Sequence, residues 1–259
     1  PKTVFKSFPC VIASSSLCVA SVSTLSNALF VFGSIIPSCL KSEIFIMVQV
    51  YRERGKKLKY NKKKYIEKEM HKYLITSEDF YTQDPDIFKE KLNKQIQIHK
   101  PSYVLYRDKS NQNYKQQAKE FVTLCKMHDD VKSFIHQDID LAVSLGAIGV
   151  HLTSLQFSEI KNAKKNNLEV IISTHTHEEV LLAQNLGADA VTYSPIFTSP
   201  NKGKPKGIED LKTLLNKCDI KVFALGGIVG FKQERQLKDI RIYGFASIRY
   251  FWTKIRVKI

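Results

Sequence analysis

From Met70 onward, short apolar runs alternate with stretches of helical spacing. HKYLIT (71–76) reads as a strand, and DPDIFKEKLNKQIQIHK follows with Ile87, Phe88, Leu92 and Ile96 on a helical repeat. Further strands are predicted at SYVLYR (102–107), KSFIH (132–136), IGVHL (148–152), EVIIS (169–173), ADAVTYS (188–194), IKVFAL (220–225) and IYGFAS (242–247). Between them fall helices near 113–128, on DIDLAVSLG, from Gln156 to Asn166, on THEEVLLAQNLG, on IEDLKTLLNKC, and after Gly230. Near-continuous apolar strands between amphipathic helices indicate a parallel sheet covered on its outside. Eight such units predict an α/β fold, a closed (β/α)8 TIM barrel. A doubly wound open sheet is the alternative, but no GxGxxG follows the first strand. Only nine residues follow Tyr250, so the eighth helix is predicted to be short or missing.

The first 69 residues break this pattern. Residues 7–40 carry no charge and are long enough to span a bilayer, yet are rich in serine. Lys2 and Lys6 before them resemble the basic start of a signal peptide, and a lysine-rich run follows at 51–70. The chain begins with Pro1, so residues 1–69 are read as a leader, or a start placed too far upstream, outside the fold. A membrane anchor or targeting peptide is the alternative. Residues 70–259 are read as the barrel domain.

Charge adds a substrate class. The chain is 43% hydrophobic, enough for a sizeable core, with a net charge of +15. Residues 1–69 hold 12 Lys/Arg against 4 Glu, about half of that excess. A basic body suits phosphorylated substrates or nucleic acid. No RNP-type motif, zinc pattern or aromatic–basic interleaving is present, so a nucleic-acid partner is not expected. The five cysteines (10, 18, 39, 125 and 218) form no CxxC and no framework, which fits a reducing, cytoplasmic setting.

In a barrel, chemistry sits where strands end and βα loops begin. Those positions are Arg107 and Lys109, His136 and Gln137, Thr153 to Gln156, Ser173 to His175, the loop 195–206, Gly226–Gly227, and Ser247 to Arg249. The sixth loop lies in TYSPIFTSPNKGKPKG, which has three prolines, two glycines, three lysines and no acid. It reads as a lid that closes over an anion. Glycines after strand seven and a helix start after strand eight can hold phosphate by backbone N–H groups, with Arg249 adding a bidentate contact.

The ordered set VLYRDK, IHQDIDLA, IGVHL, ISTHTHEE, LGADAVTYSPIFTSPNKGK, FALGGI and YGFASI resembles the thiamine phosphate synthase and TenI-like thiazole tautomerase family over about residues 70–250. The resemblance implies an enzyme of thiamine biosynthesis acting on a small phosphorylated thiazole. It makes other thiamine-pathway enzymes candidate partners. The synthase branch joins that thiazole to a pyrimidine pyrophosphate; the tautomerase branch shifts a proton to aromatise it. Residue by residue, Arg107 and Lys109 match the basic pair facing pyrophosphate, Ser173 the serine after strand five, and Lys202 the lysine at the reacting centre. Ser199 and Asn201 stand where threonines grip the thiazole. Gly226, Gly227 and Ile248 match the thiazole-phosphate cradle, and Arg249 replaces a serine there. His175 matches the proton-transfer position and His136 replaces an asparagine near substrate. His151 is read as a packed barrel residue, and His177 as solvated or capping.

Two departures bring the pattern closer to the tautomerase branch. A synthase holds Mg²⁺ with carboxylates after strands three and four, and here those positions are Gln137 and Gln156. Hard cations need carboxylate oxygens. Asp138 is adjacent but reads as a helix cap. The expectation is a metal-independent tautomerase, an isomerase needing no cofactor. A divergent synthase, a transferase using Mg²⁺, is the alternative. A third reading is an inactive, regulatory barrel that only binds thiazole phosphate or a partner protein.

Overall fold

The computed structural model describes residues 70–80, 84–108, 110–200, 202–240 and 242–252. They lie in the second of the two units into which the chain divides, Glu67–Ile259. The uncharged 7–40 stretch and the lysine run at 51–69 lie outside the described residues. Among the described residues no helix is long and apolar enough to cross a membrane.

Eight parallel strands close into a barrel in chain order: β1 His71–Ile75, β2 Tyr103–Tyr106, β3 Lys132–His136, β4 Gly149–Leu152, β5 Glu169–Thr174, β6 Ala190–Tyr193, β7 Lys221–Leu225 and β8 Gly244–Ser247. The seam between β1 and β8 pairs Tyr73 with Ala246 and Leu74 with Ser247. The connecting helices are α1 Pro85–His99, α2 Tyr114–Cys125, α3 Ile139–Leu145, α4 Ile160–Lys165, α5 His177–Leu186, α6 Gly207–Leu215, α7 Phe231–Lys238 and α8 Arg249–Trp252. The expected short last helix is present as α8.

Strand parity divides the core in two. Inward positions carry Tyr73, Ile75, Tyr103, Leu105, Phe134, Ile171, Ala190, Phe223 and Ala246, which fill the barrel. Outward positions such as Leu74, Val104, Ile135, Val150 and Val191 pack under the helices. A Cβ at Gly149 would lie 2.4 Å from the Phe134 ring, and one at Gly244 2.7 Å from the Phe223 ring. The missing side chains are therefore what let two large rings share the interior.

Capping explains where helices start and stop. Asp84 accepts hydrogen bonds from the backbone N–H groups of Asp86 and Ile87, with Pro85 in the first turn of α1. Asp138 caps α3 by accepting from Leu141 N at 2.9 Å, the role its position suggested. Thr176 caps α5, and Gly146 and Gly187 end α3 and α5 in the left-handed conformation. One stripe differs from expectation. Phe88, Leu92, Ile96 and His99 form the buried face of α1, whereas Ile87 is 39% exposed, because a helix turns its neighbour by about 100° out of the stripe.

Candidate active site

A cavity of about 580 Å³ opens at the C-terminal ends of the strands. Arg107 comes from the end of β2, His136 from β3, His151 from β4, Ser173 and His175 from β5, and Ser194, Ser199 and Lys202 from the lid. Gly227, Ile248 and Arg249 close the far side. A larger cavity, about 970 Å³, lies at the opposite end among His71, Lys72, Tyr103, Lys132, Lys221 and Tyr243. Size favours that one, but in a barrel of this type chemistry is built on the loops that follow the strands, so the smaller cavity is the candidate site.

Most of the expected residues converge here, though not all. Lys109 and Asn201 lie outside the described residues. Gly226 does not line the cavity. Both glycines adopt positive φ, 96° and 71°, and face the lid rather than open space. A Cβ on Gly226 would stand 2.9 Å from Pro195 Cα, and one on Gly227 2.5 Å from the carbonyl oxygen of Thr198. The pair therefore makes room for the lid backbone, which hydrogen-bonds back through Ile196 N to Leu225 O (2.9 Å) and Phe197 N to Gly226 O (3.0 Å). At its exit, Lys206 N and Gly207 N donate to Pro195 O and Ile196 O. The lid is thus pinned at its base, and Lys202 sits on its outer arc, exposed, on the cavity wall.

Electrostatics in the mouth are cationic. Among the described lining residues, Arg107, Lys202 and Arg249 face one carboxylate, Asp79, which accepts a hydrogen bond from Ser77 Oγ at 2.9 Å. Burial draws the Arg107 guanidinium pKa down, with Asp108 opposing. His175 lies with Nδ1 3.2 Å from the carbonyl oxygen of Ser194 and 3.3 Å from its hydroxyl. A carbonyl only accepts, so Nδ1 carries the proton in the neutral ring and Nε2 keeps the lone pair. His177, on the outside, has Nε2 3.3 Å from Asp210 Oδ1 without hydrogen-bond geometry, and Asp210 Oδ2 accepts from the Tyr193 hydroxyl at 2.7 Å. The Tyr193–Asp210 bond ties α6 to β6, and His177 sits half-buried beside it, neither solvated nor the cap of α5, which is Thr176.

His151 is more than barrel packing. It is buried, its Nδ1 lies 2.9 Å from the Tyr73 hydroxyl, and its Nε2 lies 3.0 Å from Ser173 Oγ. Burial holds its imidazole well below the usual histidine range, and the nearby His136 and Arg107 push the same way. Its inward parity on β4, two residues from Gly149, was visible in the sequence; its partner Tyr73 was not.

The two positions where Mg²⁺ would be held do not fit that ion. Gln156 Oε1 accepts from the N–H and hydroxyl of Thr153, both at 3.1 Å, and its amide donates to Gln137 O at 3.3 Å. Its side chain is committed to joining the two loops. Gln137 is exposed at a φ of 66°. Among the described residues no cluster of three or more His, Cys, Asp or Glu has metal-binding geometry.

A relative from Aquifex aeolicus, "Putative thiamine-phosphate synthase 2", is 36% identical over 138 residues, covering 52% of this chain and 73% of its own length. "Thiamine-phosphate synthase" from Caldicellulosiruptor bescii is 29% identical over 185 residues, covering 68% and 80%. Among solved structures, thiamine phosphate pyrophosphorylase from Pyrococcus furiosus superposes with a TM-score of 0.60 at 24% identity, covering 70% of this chain and 87% of that one, a likeness of fold. The family model described as "Thiamine monophosphate synthase" matches residues 72–251, the whole barrel from β1 into α8. With that match laid over the mouth just described, the chain belongs to the thiamine monophosphate synthase family.

Proposed function

We propose that this chain binds a carboxylated thiazole phosphate in the mouth cavity and shifts a proton on its ring, the tautomerase reaction of thiamine biosynthesis. The observation that carries the reading is the pair of amides after β3 and β4, with Gln156 already engaged by Thr153 and by Gln137 O. A site without those carboxylates keeps what a proton shift needs. Arg249 and the backbone at Gly227 and Ile248 hold the phosphate, while Arg107 and Lys202 balance the carboxylate. His175 Nε2, left with its lone pair by the Nδ1 contact to Ser194 O, takes a proton from one ring position. The resulting imidazolium returns a proton at the other, so charge and proton count are unchanged. Positioned acid–base catalysis of this kind supplies about 10²–10⁴-fold, enough where no leaving group departs.

The synthase reaction is the second reading, and the names of the relatives favour it. It asks the same cavity to stabilise a departing pyrophosphate, for which Arg107 and Lys202 are the available cations. The ring tautomer, followed by NMR or absorbance with EDTA present, tests the first reading. The wild-type chain is expected to accelerate the shift and His175→Ala to lose most of that rate. A binding chain with no acceleration would make the barrel a carrier rather than an enzyme.

A further inference from the structure

Beneath the mouth, one chain of hydrogen bonds runs from the barrel centre into the cavity. Tyr73 on β1 is fully buried, and among the described residues its hydroxyl meets one partner, His151 Nδ1. His151 Nε2 meets Ser173 Oγ, and Ser173 lines the cavity. Distances alone leave the direction of the bonds open, but the donor inventory does not. Burial keeps Tyr73 protonated and His151 neutral. A neutral imidazole has one N–H and one lone pair. If Nδ1 held the proton, the Tyr73 O–H would be left without an acceptor among aromatic rings: Tyr103, Phe134 and Phe223 surround it. A buried donor with no acceptor is far costlier than an unused lone pair. An imidazolium, which would donate from both nitrogens, is opposed by burial and by the neighbouring His136 and Arg107.

We propose that Tyr73 and His151 are positioning residues that orient the Ser173 hydroxyl: His151 Nε2–H occupies one lone pair of Ser173 Oγ and leaves the O–H free to donate to an acceptor group bound beside it. The polarity runs Tyr73 O–H to Nδ1, Nε2–H to Ser173 Oγ, and Ser173 O–H into the cavity. A carboxylate, a phosphoryl oxygen or an unprotonated ring nitrogen satisfies it. This specificity rests on the cavity being the substrate site; the tautomer itself does not.

The test begins without ligand. In the full chain at neutral pH, nitrogen NMR of the histidines, with His151→Gln to assign the signal, is expected to show His151 as the pure Nε2–H tautomer. The Nδ1–H tautomer or an imidazolium would overturn the proposal, and this measurement stands even if a Tyr73 variant fails to fold. Where Tyr73→Phe folds, the tautomer is expected to become mixed. Its affinity for the carboxylated thiazole phosphate, read by calorimetry, should drop about two- to ten-fold, as for one hydrogen bond. A pure Nε2–H tautomer with wild-type affinity would remove Tyr73 from the account. Ser173→Ala is expected to lose a similar factor, with Ser173→Thr restoring part of it. Loss with the carboxylated compound alone identifies the acceptor as the carboxylate; equal loss with the decarboxylated thiazole phosphate identifies the ring or the phosphoryl group. No loss with either overturns the assignment. Failure of both compounds to bind wild type would sink the proposed substrate while leaving the tautomer result to be read on its own.

Discussion

Gly227→Ala separates a glycine required by backbone conformation from one required by a neighbour. A non-glycine residue at a φ of 71° costs about 1–2 kcal/mol by itself. The added Cβ would also stand 2.5 Å from Thr198 O and 2.7 Å from two atoms of Phe197. Two of those three neighbours are backbone, so the lid must move. Moving it strains the bonds from Ile196 N and Phe197 N to the β7 end. Those two hydrogen bonds contribute about 0.5–1.5 kcal/mol each. The total is about 2–5 kcal/mol. Gly187→Ala is the internal control, because Gly187 has a φ of 87° and nothing within 4 Å of its virtual Cβ. It should cost only the conformational part. The excess of Gly227→Ala over Gly187→Ala is then about 1–3 kcal/mol. At about 2–4 °C per kcal/mol for a domain of this size, that is an extra fall in Tm of about 2–12 °C, measurable by calorimetry or circular dichroism. Equal melting shifts for the two variants would refute the claim that Gly227 exists to admit the lid.

Three further outcomes are expected. Arg249→Ala should weaken binding of a thiazole phosphate by about 1.5–3 kcal/mol in calorimetry, the worth of a charged hydrogen bond; unchanged affinity would remove it from the phosphate site. A chain beginning at Met70 should melt cooperatively, since the described barrel starts there; aggregation of that chain while the full chain stays in solution would show that residues 1–69 belong to the fold. Stability should fall as pH drops below about 6.5, because the unfolded chain then binds protons that folded His151, with its depressed pKa, refuses. His151→Gln should flatten that limb of a pH series of denaturant melts, and an unaltered limb would contradict the sign.

The barrel was legible because its strands are apolar on both faces and short. KSFIH became β3 without a shift, and most other ends moved by one or two residues. The helix expected from Gln156 instead opens with a 3-10 turn at Phe157–Glu159, beside a Gln156 side chain that folds back onto Thr153. The mouth was legible too, because a (β/α)8 order places every strand end at one rim. What stayed hidden were pairings across the barrel. Tyr73 and His151 are 78 residues apart, and no local pattern links them. The contact of Gly226 and Gly227 with the lid was equally invisible: a glycine pair after a strand looks the same whether or not a folded-back loop covers it. The bond from Tyr193 on β6 to Asp210 on α6 was hidden as well, because Asp210 looks like an ordinary surface acid.

Product formation from both family substrates, with and without Mg²⁺, tests the central claim most directly. Wild-type chain is incubated with the carboxylated thiazole phosphate alone, and with the pyrimidine pyrophosphate added, in EDTA or in Mg²⁺. The expected result is fast aromatisation of the thiazole in EDTA, dependent on His175, and little thiamine phosphate under either condition. Robust Mg²⁺-dependent thiamine phosphate formation, with His175→Ala little affected, would contradict it and assign the synthase reaction to this mouth.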